Sequence, residues 1–172
     1  MISKDFIKLQ VFLLFMKTNL RALSVRDLKP VLKLFEDQWG CVPDFSWAWY
    51  QSSKNDLFIV SKDIVKVDAQ KLKINSVGLY LGEMKDWKLR LSIEGSQLIG
   101  PIAKKNVVEL NKDEREKWLR GEDLEKPVKE EGFVIMKAGN DFVGCGRVKE
   151  GRILNFVPKA RRLLVSHPVQ DE

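Results

Sequence analysis

The stretch GFVIMKA at Gly132–Ala138, followed by FVGCGRV at 142–148 and RILNFV at 152–157, decides the fold. Each segment is short and rich in β-branched or aromatic residues, which predicts a strand. The connections Gly139-Asn140-Asp141 and Lys149-Glu150-Gly151 contain the residues of tight turns, so the three strands are expected to pair as antiparallel hairpins. Such a small set of short strands closes most easily as a pseudo-barrel.

A helix is predicted directly before these strands. Asn111 is a favoured N-cap residue, and Glu114 stands three positions later. Gly121 follows the last basic residue, Arg120, and so predicts the end of the helix. A short strand at 107–110 precedes the helix, and the charged residues 122–131 predict a surface connection to the three strands.

The first hundred residues also mix helix and strand. Ser24 and Asp27 precede apolar residues at helical spacing, and Pro30 is tolerated only in a first turn, so a helix is expected to begin near Asp27 or Leu28. Gly40 is expected to end it. The other predicted elements are strands at 45–51, 57–60, 77–83 and 87–92, a short helix at 62–67 and a helical turn at 94–99.

These elements predict an α+β protein, in which an N-terminal mixed α/β module is followed by a β pseudo-barrel. The expected divisions are an N-terminal extension at 1–19, a first module at 20–102, a second module at 103–166 and a tail at 167–172.

The N-terminal extension contains an apolar run at 11–16 that is far too short to span a bilayer. Two interpretations are open, a short helix that packs on the body or a native chain that begins at Met16. Secretion is disfavoured, because Lys17-Thr18-Asn19 follows the run in place of a small-residue cleavage site. Cys41 and Cys145 form no disulfide framework, so a reducing, cytoplasmic location is expected.

Positive charge is concentrated near the C-terminus. The whole chain has a formal charge of +6, and residues 132–165 carry seven Lys or Arg against two Asp or Glu. Lysine and arginine clusters supply the phosphate contacts that dominate nucleic-acid affinity, although a solvated basic surface without a ligand is the alternative. The candidate contact residues are Arg147, Lys149, Arg152, Lys159, Arg161, Arg162, Arg120 and Lys126.

Two further features each have a structural and a functional interpretation. Gly144-Cys145-Gly146 places two glycines in one strand, which indicates either sheet curvature or close approach of an RNA backbone. Trp39, Trp47, Trp49 and Tyr50 either fill a core, form a protein-partner surface or stack on bases. Core filling is favoured for these aromatic residues, with Trp47 and Trp49 on one side of a strand and Tyr50 on the other.

The C-terminal residues resemble a known family. The stretches 132–136, 142–147 and 151–159 are similar to the PUA-like domain at the C-terminus of Nop/Sun-type RNA cytosine-5 methyltransferases. Gly78-Leu79-Tyr80-Leu81-Gly82-Glu83, followed by Leu91-Ser92, resembles the pre-PUA segment of the same proteins, so the resemblance covers roughly 75–165. The order of modules is also similar to that of archaeal and eukaryotic ribosome-biogenesis factors of the Nip type.

The resemblance implies an rRNA or tRNA partner and a role in ribosome biogenesis or RNA modification, as in standalone archaeal proteins of this kind. The catalytic Pro-Cys and Thr-Cys dipeptides of the methyltransferases do not occur, since Cys41 lies in Gly-Cys-Val and Cys145 in Gly-Cys-Gly. We therefore expect a non-enzymatic RNA-binding accessory protein with no catalytic residues, cofactor, metal or membrane contact.

Two other functions are weighed beside this one. The first is an adaptor that docks through the aromatic N-terminal module on a ribosome-assembly protein or a separate RNA methyltransferase. The second, weaker one is an enzyme whose site assembles only in an oligomer.

Overall fold

A computed structural model describes residues 20–44, 46–61, 63 and 78–163. This part of the chain folds into three α-helices and two five-stranded sheets, which confirms the α+β class. In chain order the elements are β1 (Leu20–Ala22), α1 (Val25–Trp39), β2 (Ala48–Ser52), β3 (Asp56–Val60), β4 (Leu79–Lys85), β5 (Lys88–Leu91), α2 (Ile93–Ile99), a 3-10 turn (Gly100–Ile102), β6 (Val107–Glu109), α3 (Lys112–Arg120), β7 (Leu124–Glu125), β8 (Gly132–Ala138), β9 (Asp141–Lys149), β10 (Arg152–Asn155) and a 3-10 turn (Lys159–Arg161). Among the described residues, none of the helices is long and apolar enough to cross a membrane.

Helix α1 begins earlier than the sequence predicted. The Ser24 side chain accepts a hydrogen bond from the Asp27 amide, and the Asp27 carboxylate accepts one from the Ser24 amide, so this capping box sets the start at Val25. Pro30 therefore lies in the second turn, where it removes the bond that an amide would donate to the Arg26 carbonyl. Pro30 and Arg26 are both exposed, so water can hydrogen-bond to the Arg26 carbonyl in place of the missing amide.

The first sheet is antiparallel with strand order β1-β2-β3-β4-β5. Strand β2 begins at Ala48 rather than at 45, and its neighbours Trp49 and Tyr50 are both buried, so both faces of the strand are covered. Trp47 precedes the strand and packs, partly buried, against the first core. Residue 45 and the helix predicted at 62–67, apart from Asp63, lie outside the described residues.

The second sheet has strand order β6-β8-β9-β10-β7 and is curled as a half-barrel. Strand β6 runs parallel to β8, and the β8–β9 and β9–β10 hairpins confirm the predicted meander. The predicted helix is confirmed as α3, with a capping box between Asn111 and Glu114 and a left-handed Gly121 at its end. The connection 122–131 also contains β7, because Leu124 is buried and its strand pairs with β10.

The two sheets share a core. Ile135 of β8 and Cys145 of β9 are buried among the side chains of α1 and the first sheet. The second core forms around Trp118, whose indole Nε1 donates a hydrogen bond to the Val143 carbonyl over 2.9 Å. At Gly146 a Cβ atom would lie 2.6 Å from Ile153 Cγ2, so this glycine permits close packing inside the protein.

Candidate nucleic-acid interface

An arginine of the first sheet reaches the second sheet. Strands β4 and β5 place Glu83 opposite Arg90, and the Glu83 carboxylate accepts a hydrogen bond from the Arg90 guanidinium. The same guanidinium carbon lies 4.8 Å from the ring centroid of Phe156, which follows β10. Arg90 is thus held by an ion pair on its own sheet while it covers an aromatic face of the other.

The contacts continue across the second sheet. The rings of Phe156 and Phe133 are 6.1 Å apart, and the Arg147 guanidinium carbon lies 5.8 Å from the Phe133 centroid. Phe133 and Arg147 are direct partners in the β8–β9 pairing, so the register of this hairpin brings them together.

The contacts also continue back across the first sheet. Phe58 and Tyr80 are partners between β3 and β4, with ring centroids 5.4 Å apart. Tyr80 is 37% exposed and hydrogen-bonds with Arg90. Burial raises the pKa of the Tyr80 hydroxyl, with a smaller contribution from the Asp56 charge, so the ring remains a neutral phenol at neutral pH.

We call these six side chains the aromatic–arginine row; they are Phe58, Tyr80, Arg90, Phe156, Phe133 and Arg147. Aromatic rings and guanidinium groups both stack on nucleobases, and arginine also contacts phosphate. The row therefore has the chemistry needed to hold unpaired nucleotides.

A cleft of about 250 Å³ opens beside the row, between the two sheets. Tyr80, Arg90 and Phe156 line it on the row side, and Arg161 and Glu94 form an ion pair in it at 2.8 Å. Cys145 also lines the cleft, but burial raises its pKa to about 12, so it stays a thiol and is a poor nucleophile.

The second sheet, with α3 and its flanking turns, is the part of the chain that matches a protein-family model. Residues 105–163 match the family model of the methyltransferase RsmF PUA domain. This match confirms the predicted PUA resemblance for that range, and it supports RNA as a partner and an association with RNA modification. No curated protein matches the chain.

The PUA domain brings three of the predicted cations together. Lys149 and Arg152 are direct partners in the β9–β10 pairing, and Arg147 lies two residues before Lys149 on the same face. All three are exposed. The only ion pair among them in the described part is that of Lys149 with its neighbour Glu150, at 3.8 Å on the surface, which leaves the charge available to a polyanion.

Two other predicted cations of the PUA domain, Arg120 and Arg162, are held by internal contacts. Arg120 pairs with Glu122 at 2.7 Å. Arg162 donates from Nε to the Val157 carbonyl over 3.0 Å and packs on Gly121. Their roles in RNA binding remain predictions, and these contacts must be broken or shared for a phosphate to be bound.

Lys126 is held in the same way. It pairs with Glu114 at 2.8 Å and is only 26% exposed. Burial is the largest single influence on the pKa of Glu114 and raises it, but the hydrogen bonds from Lys126 and the Asn111 amide, together with the charges of Lys126 and Lys117, lower the net pKa. The remaining predicted residues, Lys159 and Arg161, lie exposed on the 3-10 turn that follows β10, next to the cleft in the case of Arg161.

The sequence-based prediction missed five residues of the row, Phe58, Tyr80, Arg90, Phe133 and Phe156. The sequence contains a signal for Arg90, because the apolar and polar residues of 88–91 alternate and place it on the polar face. The four aromatic residues are indistinguishable from core residues in the sequence. Conversely, Trp39, Trp49 and Tyr50 are buried, which supports core filling over an exposed adaptor surface.

The part of the chain that the structure describes contains no candidate metal site. Across residues 20–44, 46–61, 63 and 78–163, three or more His, Cys, Asp or Glu side chains nowhere cluster closely enough to hold a metal ion.

Proposed function

We propose that this chain is an RNA-binding accessory protein that acts in ribosome biogenesis or in rRNA or tRNA modification. The aromatic–arginine row carries the proposal, since it joins stacking surfaces to the exposed cations Arg147, Lys149 and Arg152. RNA readers commonly use such a combination for unpaired nucleotides, which can be splayed out and stacked. The cytoplasm is the proposed location.

We also propose that the chain has no catalytic activity of its own. The contents of the cleft support this, because its thiol, Cys145, has a pKa of about 12 and its carboxylate, Glu94, is paired with Arg161. Incubation with RNA and labelled S-adenosylmethionine should transfer no label. Transfer of label to the RNA by the purified chain would contradict this proposal.

The binding proposal is tested by measuring affinity for single-stranded and duplex rRNA or tRNA fragments at several salt concentrations. The variant Arg147→Ala/Lys149→Ala/Arg152→Ala should bind more weakly. For single strands the slope of log K against log salt is about −0.7 per phosphate contact, so it should become shallower by about 2 if all three contacts are lost.

A matched control removes the same charge elsewhere. Arg26, Lys29 and Lys112 are exposed, the first two on α1 and the third on α3, and their triple alanine variant should keep most of the affinity and slope. Equal losses in the two triple variants would mean non-specific attraction. No binding by the natural chain at low salt would refute the proposal, and a nuclease-resistant protein complex would favour the adaptor function.

A further inference from the structure

The hairpin between β4 and β5 ends in a two-residue turn, Asp86-Trp87, that carries an exposed tryptophan. Trp87 is 74% exposed, whereas Trp39, Trp49 and Trp118 are buried and Trp47 is partly buried. These are the five tryptophans of the chain. Exposed aromatic surface of this size contributes nothing to either core.

The backbone at this turn disfavours a large side chain. Asp86 has φ of 50° and Trp87 has φ of 55°, the pattern of a type I′ hairpin turn, in which glycine is favoured at the second position. The left-handed region costs a residue with a Cβ atom on the order of 1 kcal/mol. Since the fold gains nothing from tryptophan here, the position points to contact with a partner.

The residues around Trp87 define the chemistry of that partner. Lys85 and Lys88 are exposed, face each other across the hairpin and form no ion pair within the described residues. Arg90 follows two positions after Lys88 on the same face of β5, so cations continue from the turn to the aromatic–arginine row. An aromatic ring between lysines fits a nucleobase with its neighbouring phosphates.

We propose that Trp87 stacks on an unpaired base of the RNA and that Lys85 and Lys88 contact the adjoining phosphates. The RNA site then extends beyond the PUA domain onto the first sheet, along β5 towards Arg90. This inference rests on the proposed RNA-binding function and specifies a single-stranded segment as the part bound at the turn.

The first test is affinity for a single-stranded RNA that the natural chain binds. Trp87→Ala should weaken binding between about 5-fold and 150-fold, the range for loss of one base stack. Trp87→Gly should weaken it equally, and because glycine suits this turn, a folding defect would not account for the loss. Trp87→Phe should retain much of the affinity.

The second test reads the contact directly. Because Trp87 is the most exposed tryptophan, titration with RNA should quench the fluorescence of the natural chain, and Trp87→Phe should remove most of that quenching while RNA still binds. A fully paired duplex should quench less than a single strand at the same occupancy.

The outcomes separate this inference from the proposed function. If the natural chain binds no RNA, the proposed function fails. If it binds RNA with an affinity that Trp87→Ala and Trp87→Gly leave unchanged, and without quenching, the stacking contact is refuted while RNA binding stands. In that second case a protein captured by the natural chain and lost with Trp87→Ala would assign the turn to a protein partner.

Discussion

The ion pair between Arg161 and Glu94 limits how much positive charge the cleft presents to RNA. The Arg161 guanidinium nitrogen lies 2.8 Å from a carboxylate oxygen of Glu94, and both side chains are partly exposed. We expect Glu94→Gln to raise RNA affinity a few-fold, because it removes a negative charge and releases Arg161 for phosphate. The measurement is the RNA dissociation constant at fixed salt.

The reverse change gives the complementary test of this pair. Arg161→Ala leaves the Glu94 carboxylate unopposed in the cleft and should weaken binding more than Lys159→Ala, which removes an exposed charge from the same turn. Equal effects of the two alanine substitutions, with no gain from Glu94→Gln, would show that the pair does not face the RNA.

Gly146 is a residue whose identity is set by packing. A Cβ atom there would lie 2.6 Å from Ile153 Cγ2 and 2.9 Å from Trp118 Cη2, and both neighbours are fully buried. Gly146→Ala should therefore lower the free energy of unfolding by about 1–3 kcal/mol, the usual cost of overpacking. The measurement is the urea midpoint at unchanged m value.

A suitable control lies at the β8–β9 turn. Gly139 has a positive φ, unlike Gly146, and no heavy atom beyond its chain neighbours lies within 4 Å of the position that a Cβ atom would take. Gly139→Asn should stay close to the natural stability, since asparagine tolerates the left-handed region. A destabilisation as large as that of Gly146→Ala would contradict the packing explanation.

At the scale of elements, the capping box of α3 provides a measurable contribution to stability. The Asn111 side chain accepts from the Glu114 amide over 2.9 Å, and the Glu114 carboxylate accepts from the Asn111 amide. Asn111→Ala should lower the free energy of unfolding by about 1 kcal/mol. Lys112→Ala, at an exposed neighbouring position, serves as the control and should have little effect.

The same helix start predicts an acid dependence of stability. Burial by itself raises the pKa of Glu114, but the hydrogen bonds from Lys126 and from the Asn111 amide, together with the charges of Lys126 and Lys117, bring it below its ordinary 4.5. The stabilisation is present above pH about 4.5, the unfolded value, and is lost as the pH falls through the folded pKa. Glu114→Gln should flatten this part of the stability profile, measured by urea unfolding from pH 6 to pH 3.

The helix ends and hairpins were predictable because their signals are local. Asn111, Glu114 and Gly121 act on amides and carbonyls within a few residues, and the structure confirms the predicted ends of α3. Helix α1 starts earlier than predicted because the capping box at Ser24 stabilises the helix start more than the preference of Pro30 for a first turn opposes it. Strand β7 was missed because a two-residue strand depends on its partner β10, not on its own sequence.

At the scale of the whole molecule, the shared core predicts cooperative unfolding. Ile135 and Cys145 belong to the second sheet but are buried with side chains of α1 and the first sheet. Loss of either sheet would expose this surface, so both should unfold in one transition. Far-UV circular dichroism and tryptophan fluorescence should give coincident urea midpoints, and two separated transitions would contradict the prediction.

The division of the chain near 102 remains a prediction, although the strand pairing agrees with a change of sheet there. All partners of β1 to β5 precede Gly100, and all partners of β6 to β10 follow it. Within the described residues, however, α2 and the shared core join the two parts closely. The two parts are therefore separate in their strand pairing, but their side chains pack together in the shared core.

The sequence by itself determined the α+β class, the C-terminal meander, the cap of α3 and the excess of positive charge near the C-terminus. These depend on residue type and on spacing within a few positions. Only the tertiary structure decided which of those charges are free and which aromatic residues join them. Antiparallel register pairs Phe133 with Arg147, packing between sheets sets Arg90 on Phe156, and an ion pair with Glu114 holds Lys126. Each contact joins residues of different elements, so no local pattern in the sequence could specify it.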